Sequence, residues 1–238
     1  LLQDGEELFF STGHYARVEK MDGGYFLVKA RDPLKDQSYM LYRIHRGMLE
    51  KLVFPLGDYL KKEVSELAEA GGLEYTRVKE SQDACFVDSD YVDFISRQTE
   101  RDDILQKGEI VDPAGNLLGL HRGYIHYTVG QRRGLGLGSG PWYVSRIEPE
   151  NNRVVAARPE EARRTCLLVD DLNWFIDKPL KPLLCRVKVR YQTRDIPCRI
   201  EPEGERIRVL LKKGEIVTPG QSAVFYDHNL VLGGGTIV

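Results

Sequence analysis

The sequence predicts an α/β region over roughly the first hundred residues, followed by an all-β region. Before residue 103, apolar residues recur at helical spacing between glycine-containing turns. After it, helical periodicity stops, turn signals return about every ten residues, and apolar and polar residues alternate between them. Short strands at this spacing are typical of small barrels or sandwiches. A charged stretch from Arg158 to Arg164 predicts a further boundary near residue 165, so the predicted domains are 1–102, 103–165 and 166–238.

The α/β region begins with a short apolar strand, 8–12, that runs into Gly13-His14. A hairpin follows, in which Asp22-Gly23-Gly24 joins two short strands. A first helix is expected from Asp36, because five apolar residues recur at helical spacing: Met40, Leu41, Ile44, Met48 and Leu52.

A second helix should be capped by Asp58 and end at Gly71-Gly72. Its predicted buried stripe is Leu60, Val64, Leu67 and Ala68. A third helix is expected from Ser89 or Asp90. In the all-β region residues 185–191 alternate clearly, with one face formed by Cys185, Val187, Val189 and Tyr191. Ile207, Val209 and Leu211 repeat the pattern.

Composition predicts a cytoplasmic protein without a membrane segment. The hydrophobic fraction is 42%, the charged fraction is 29% and the formal net charge is −2. No apolar run approaches the length of a bilayer-spanning helix, and no export signal is visible. The four cysteines lack metal-ligand spacing, and three lie in apolar alternating stretches, where cysteine is usually a small buried hydrophobe. This usage fits a reducing compartment.

Two short polar segments of the α/β region are candidate ligand contacts. Gly13 and His14 follow a strand, where open α/β sheets bind ligands, although the pair also fits a plain strand-to-loop turn. Lys35, Asp36 and Gln37 open the predicted first helix, where backbone N–H groups suit a phosphate, although Asp36 also fits a simple helix cap. Spacing alone favours the simpler interpretation of both.

Cys85 differs from the other three thiols because it lies in a polar, turn-like setting just before a predicted helix. The helix dipole would stabilise a thiolate there, while Asp83 and Asp88 would oppose it. Composition alone leaves a reactive thiol and a buried structural cysteine equally open.

Two later segments are candidate RNA contacts. Residues 121–134 interleave cations, aromatics and glycines, a mixture that suits base stacking but also fits a glycine-rich loop with solvated arginines. Residues 181–213 hold ten Lys/Arg against four Asp/Glu. This local basic stripe suits an RNA backbone, or a solvated strand face.

In this order, the segments resemble the tRNA-specific 2-thiouridylase family over nearly the whole chain. The matching segments are STGHYARV at 11–18, KDQSYMLYRI at 35–44, LVFPLGDYLKKEV at 52–64, SQDACFV at 81–87, GYIHYTVGQRRGLGLG at 123–138, PWYV at 141–144 and TPGQSAVFYD at 218–227. The family usually has Phe at the position of Met40. Family members also begin with an SGGVDS-type phosphate loop and a first catalytic cysteine, and neither occurs here. The resemblance therefore implies a fragment whose adenylation activity alone is in doubt.

The resemblance implies a fold and a set of site residues. The front would be the remnant of a doubly wound ATP-pyrophosphatase domain, followed by a β-rich central domain and a translation-factor-like β-barrel. Gly13 matches an ATP-contacting glycine, and Cys85 matches the cysteine that carries a persulfide. The implied tRNA contacts are His14, Lys35, Asp36, Gln37, Arg190, Tyr191 and Gln221.

The implied reaction replaces the C2 oxygen of the wobble uridine of tRNA with sulfur. Adenylation by ATP would turn a poor leaving group into AMP, and persulfide sulfur from Cys85 would attack C2. A Mg²⁺ ion is expected with the ATP, but the sequence identifies no metal ligands. Implied partners are tRNA and a cysteine desulfurase or sulfur-relay protein, with disulfide formation between Cys85 and the missing cysteine. The alternatives are a non-catalytic tRNA-binding fragment and, last, a tRNA methyltransferase, for which no S-adenosylmethionine fingerprint is present.

Overall fold

The computed structural model describes residues 8–73, 92, 98, 102–191 and 193–238. These residues form two compact units. The first draws on Leu1–Thr76, Thr165–Lys213 and Pro219–Val238, and the second on Arg77–Arg164 and Gly214–Thr218. The first and last parts of the chain therefore share a unit. The three domains 1–102, 103–165 and 166–238 follow chain order and stay a prediction.

The N-terminal part of the first unit contains short strands and one α-helix. Its elements are β1 (Phe10–Ser11), β2 (Ala16–Met21), β3 (Gly24–Lys29), β4 (Leu52–Val53) and α1 (Lys61–Ala70). Strands β1 and β4 pair in parallel, whereas β2 and β3 form the predicted antiparallel hairpin. Gly23 and Gly24 turn this hairpin with φ of +98° and +125°, a backbone region that other residues rarely adopt. The hairpin prediction is confirmed.

The first predicted helix is wrong. The chain forms two 3₁₀ helices instead, Ser38–Met40 and Arg46–Lys51. The side chain of Asp36 accepts hydrogen bonds from the backbone N–H groups of Ala30 and Ser38 (3.1 and 3.2 Å). It thereby ties the chain back to Ala30, the residue after β3, instead of starting an α-helix. Met40, which the periodicity placed on the buried face, is 53% exposed.

The second predicted helix exists and ends as expected, with Gly71 as the C-cap of α1. Its N-cap is Leu60 and not Asp58, because the Glu63 carboxylate accepts a hydrogen bond from the Leu60 N–H at 2.7 Å. The predicted buried stripe is not observed, since Leu67 is 57% exposed. The third predicted helix falls in 74–101, where only residues 92 and 98 are described.

The second unit is built around a four-stranded sheet. Its elements are β5 (Gly108–Val111), β6 (Leu117–His121), β7 (Tyr143–Glu148), β8 (Arg153–Ala157) and the short helix α2 (Pro159–Ala162). The strand order is β6-β5-β8-β7, and only the β5–β8 pairing is parallel among these. Ile110, Val144 and Val154 are fully buried in its core. Three 3₁₀ helices complete it: Asp102–Leu105, Tyr124–His126 and Pro149–Asn151.

A closed six-stranded barrel forms the rest of the first unit. Its strands are β9 (Arg164–Trp174), β10 (Leu183–Lys188), β11 (Ile196–Glu203), β12 (Arg206–Glu215), β13 (Ser222–Asp227) and β14 (Leu230–Ile237). They follow the order β13-β10-β11-β12-β9-β14, and the β13–β14 pairing closes the ring. Val187 of β10 and Ile207, Val209 and Leu211 of β12 are buried, so the predicted alternation is confirmed for these strands. The strand predicted over 185–191 ends at Lys188, and Cys185 and Tyr191 are only half-buried.

Strand β14 joins the barrel to the N-terminal hairpin. It pairs with β9 and β13 in the barrel, and Leu230 pairs with Val28 of β3. Glycines in β14 allow the neighbouring strands to approach its backbone closely. A Cβ atom at Gly234 would lie 2.7 Å from the Ala223 carbonyl oxygen, and one at Gly235 would lie 2.4 Å from the Asp170 carbonyl oxygen. A shared core, which includes Leu27, packs the hairpin side against the barrel.

The described cysteines differ in exposure. Cys198 is buried and Cys185 is half-buried, but Cys166 is exposed, so its prediction as a buried hydrophobe is wrong. Cys85 lies outside the described residues. No helix within the described ranges is both long and apolar enough to span a membrane.

Candidate nucleic-acid interface

Asp36 connects the segment after β3 to the barrel. Its buried carboxylate accepts hydrogen bonds from the N–H groups of Ala30 and Ser38 and from the Ser38 hydroxyl (3.0 Å). Lys188 at the end of β10 adds an ion pair, with Nζ 3.5 Å from Oδ2. The side chains of Asp36 and Lys188 are only 3% and 12% exposed. The carboxylate is therefore occupied by internal donors.

Gln37 ties the same segment to the residue after His14. Its side-chain oxygen accepts from the Tyr15 N–H at 2.9 Å, and its own N–H donates to the Tyr15 carbonyl at 2.8 Å. Lys35 is half-buried, and its N–H donates to the Asp32 carbonyl at 3.2 Å. All three residues of the predicted triplet therefore form hydrogen bonds within the protein.

Gly13 and His14 follow β1 as predicted. The His14 ring lies 2.9 Å from the Thr12 hydroxyl through Nδ1 and meets the Phe54 ring edge-on at 6.3 Å. Gly13 is exposed, and a Cβ atom there would meet only Leu56 Cδ1 at 3.8 Å. Crowding within the protein therefore does not explain a glycine at this position, and the strand-to-loop interpretation remains open.

Arg190 and Tyr191 follow β10 in the connection to β11. The Tyr191 ring packs beside the Tyr39 ring at 6.2 Å. The Tyr39 hydroxyl donates to the Ser222 carbonyl at 2.9 Å, next to the exposed Gln221. Burial, followed by the neighbouring Tyr42, raises the pKa of Tyr39 to about 12, against opposing effects of the Ser222 hydrogen bond and the Arg190 charge. Tyr39 therefore stays protonated at neutral pH and holds its position.

The structure brings together the predicted residues that it describes. Asp36 contacts the end of β10, Gln37 contacts the residue beside His14, and Tyr39 links Tyr191 to the Ser222 backbone. Sequence reasoning missed the residues that join them, Tyr39 and Lys188. The alternation of β10 placed Lys188 on the polar face, but it gave no sign of a partner some 150 residues away in the chain.

Asp195 stabilises the connection between β10 and β11 at the end next to β11. It accepts from Arg186 Nε at 2.7 Å and from Lys29, whose ammonium lies 4.3 Å from the Tyr226 ring centroid. Burial raises the pKa of Asp195, but the hydrogen bonds from Lys29 and Arg186 outweigh it, and the pKa is lowered. Asp195 is therefore a carboxylate that fixes both ends of the Arg190 segment.

The basic stripe of 181–213 is partly neutralised by the protein itself. In the part of the chain that the structure describes, at least five of its ten basic residues form ion pairs. These pairs are Arg186–Asp195, Lys188–Asp36, Arg199–Glu201, Arg206–Asp170 and Arg208–Glu203. Exposed pairs of this kind reduce the local positive field, so a uniform cationic face is not present.

The 121–134 segment of the second unit mixes core and surface residues. His121 is 1% exposed, with Nδ1 accepting from the Gly123 N–H at 3.1 Å and Nε2 lying 3.0 Å from the Asn152 carbonyl. Tyr124 and Tyr127 are also buried, so the suggestion that these aromatic rings stack on bases is wrong.

A surface groove of about 410 Å³ lies in the same unit, and the exposed Arg132 lines it. Trp142 lines that groove, and the Arg158 guanidinium stacks on the Trp142 ring at 3.8 Å.

Metal ligands do not cluster in the described ranges. No three His, Cys, Asp or Glu side chains there converge as a metal site requires.

Family models match the chain in three consecutive segments. They are described as the tRNA methyl transferase HUP domain (residues 2–89), the tRNA methyl transferase PRC-barrel domain (93–158) and the aminomethyltransferase β-barrel domain (164–237). The fold is thus a HUP-like α/β region, then a PRC-barrel domain, then a closed β-barrel, as the α/β-then-β prediction expected. Two of the three descriptions name a tRNA methyl transferase, so the proteins that share this order of domains are described as tRNA-modifying enzymes.

Curated relatives narrow the class further. The tRNA-specific 2-thiouridylase MnmA 2 of Clostridium botulinum strain Langeland is 41% identical over 96% of this chain and 66% of its own length. MnmA 1 of Caldanaerobacter subterraneus is 43% identical over 100% and 67%, and MnmA of Desulforudis audaxviator is 43% identical over 96% and 68%. The chain spans about two thirds of the length of these relatives. It belongs to the tRNA-specific 2-thiouridylase family.

Proposed function

We propose that this chain binds tRNA and carries the sulfur in a tRNA-uridine 2-sulfurtransferase. The main support for this proposal is that the segments around Asp36, Tyr191 and Gln221 meet at one end of the barrel. Asp36 pairs with Lys188, Tyr39 packs against Tyr191, and the Tyr39 hydroxyl donates to the Ser222 carbonyl beside Gln221. They are far apart in sequence, and the contacts that unite them leave Gln221 exposed. The names of the relatives support 2-thiolation over methylation.

The proposed roles follow the resemblance. His14, Lys35, Gln37, Arg190, Tyr191 and Gln221 contact tRNA, together with Asp36, whose backbone lies in the same segment. Gly13 lies at the nucleotide edge, where ATP would activate the C2 oxygen of the wobble uridine. Cys85 carries sulfur delivered by a cysteine desulfurase or relay protein. The target base must leave its stack to be reached, and the reaction takes place in the cytoplasm, where the tRNA is used.

Each named residue makes a limited contribution. Lys35 and Arg190 are half-buried cations whose side chains suit phosphate oxygens, which supply most of the salt-dependent affinity. Tyr191 offers a ring held by Tyr39 on which a base can stack. The side chains of Asp36 and Asp195 hold the two segments in place, so the proposed tRNA contact of Asp36 is made by its backbone.

Binding of the chain to unmodified tRNA tests the proposal. Arg190→Ala should weaken binding about tenfold and reduce the slope of log affinity against log salt by about 1, because one phosphate contact is lost. Filter binding at several salt concentrations measures both quantities. Arg190→Lys should keep much of the affinity, since the charge remains.

Lys62→Ala is the matched control. It removes one positive charge from α1 of the same unit, where Lys62 is 86% exposed, and should leave the salt slope unchanged. Equal losses in both variants would indicate a general charge effect and would reject the proposed interface. Thermal unfolding of each variant shows whether the fold is intact.

A further inference from the structure

Two thiols face each other across neighbouring barrel strands. Cys185 of β10 lies directly opposite Cys198 of β11 in the antiparallel register, and their Sγ atoms are 3.5 Å apart. A disulfide bond requires an S–S separation of about 2.0 Å and a Cβ–Cβ separation of about 3.5–4.5 Å, and directly opposed strand positions, whose Cβ atoms lie about 4.5 Å apart at the closest, reach the upper end of that range. Side-chain rotation together with a small approach of the two strands would therefore join the sulfurs.

Only one of the two sulfurs is accessible. Cys198 is buried, whereas Cys185 lines an open depression of about 340 Å³. The hydrogen bond with Cys198, then burial, raises the pKa of the Cys185 thiol. Since the thiolate is the reactive form, the reduced pair should persist in a reducing compartment and oxidise slowly.

We propose that Cys185 and Cys198 form a reversible disulfide that fixes the base of the β10–β11 connection. The oxidant is a low-molecular-weight disulfide such as oxidised glutathione. The Cys185 thiol loses its proton and attacks one glutathione sulfur, which breaks that S–S bond and releases one glutathione thiolate. Cys198 then loses its proton and attacks the Cys185 sulfur, which releases the second glutathione. Two cysteine thiols are oxidised and one glutathione disulfide is reduced.

The bond would close a loop that contains Arg190 and Tyr191. The Arg190 carbonyl already accepts from the Thr193 N–H and hydroxyl, at 3.3 and 2.9 Å. A covalent link at the base removes remaining freedom of this segment. If the segment contacts tRNA, which rests on the proposed function, less freedom is lost on binding and tRNA affinity should rise about threefold.

The test uses the full chain with Cys85→Ser and Cys166→Ser, which leaves Cys185 and Cys198 as its two thiols. Oxidised glutathione should produce a protein that has lost two hydrogen atoms and carries no glutathione. Peptide mapping should find Cys185 joined to Cys198, and dithiothreitol should reverse the change. Adding Cys198→Ser should trap glutathione on Cys185, while adding Cys185→Ser should leave Cys198 unmodified.

Specific outcomes of these experiments would contradict the proposed disulfide. A stable glutathione adduct with Cys198 present, or no reaction after an incubation many times longer than the exposed Cys166 of the unaltered chain requires, overturns the disulfide. The effect of the disulfide on tRNA binding is tested separately from its formation. If the reduced protein does not bind tRNA, the proposed function fails while the disulfide result stands. If reduced and oxidised proteins bind equally, the coupling to tRNA is overturned.

Discussion

Asp36→Ala should lower the free energy of unfolding of the first unit by about 3–5 kcal/mol, the usual cost of removing one partner from a buried ion pair. The change leaves Lys188 as a buried charge without its carboxylate, and it removes the acceptor for the Ala30 and Ser38 N–H groups. Each lost hydrogen bond adds to the cost, since an unsatisfied buried donor remains.

Urea unfolding followed by tryptophan fluorescence measures this effect. The chain has two tryptophans, so a Trp142→Phe background makes Trp174 of β9, which stacks on Phe225, the reporter of the first unit. Adding Lys188→Met should recover part of the loss, because no unpaired charge then remains. A change below about 1 kcal/mol would mean that the pair is not buried in solution. The predicted tRNA contact of Asp36 stays a separate prediction.

Cys85→Ser should abolish uptake of sulfane sulfur by the chain. The other thiols are poorer carriers: Cys198 is buried, and contact with Cys198 together with burial raises the pKa of Cys185. The measurement is transfer of label from radioactive cysteine through a cysteine desulfurase, detected on the non-reduced protein. The loss of labelling should be complete, since a serine side chain cannot hold a persulfide.

Cys166→Ser provides the matched control for that experiment. Cys166 is exposed and would take up sulfur if exposure alone decided the outcome, so its removal should leave labelling intact. Labelling that survives Cys85→Ser but disappears in Cys166→Ser would reject Cys85 as the carrier. A chain that binds tRNA yet never takes up sulfur would favour the non-catalytic tRNA-binding alternative.

Period-two patterns were the most reliable guide in the sequence. Val187 of β10 and Ile207, Val209 and Leu211 of β12 follow strict alternation, and each is buried. Alternation survives tertiary packing because a one-residue slip would turn every side chain to the wrong face. The hairpin was equally predictable, since its turn requires the glycines that the sequence provides.

Helical spacing gave a wrong prediction for the helix from Asp36, where hydrogen bonds between polar side chains and the backbone determine the conformation. Met40 fits a helical stripe but is exposed, because Asp36 and Gln37 bond to backbone groups of Ala30 and of Tyr15. Those partners lie outside any local window, so periodicity could not reveal them. For the same reason the interface residues were predicted individually, while the contacts that join them, such as Tyr39 to Ser222, required the fold.

The pairing of Leu230 with Val28 affects the order of events during synthesis. A ribosome releases the β2–β3 hairpin long before β14 emerges, so the hairpin must wait for its sheet partner while the residues between them are translated. The second unit can become compact during this interval, since all of its residues precede β14 in the chain. Slowed translation of the codons for β14 should therefore prolong the time in which β3 has an unpaired edge.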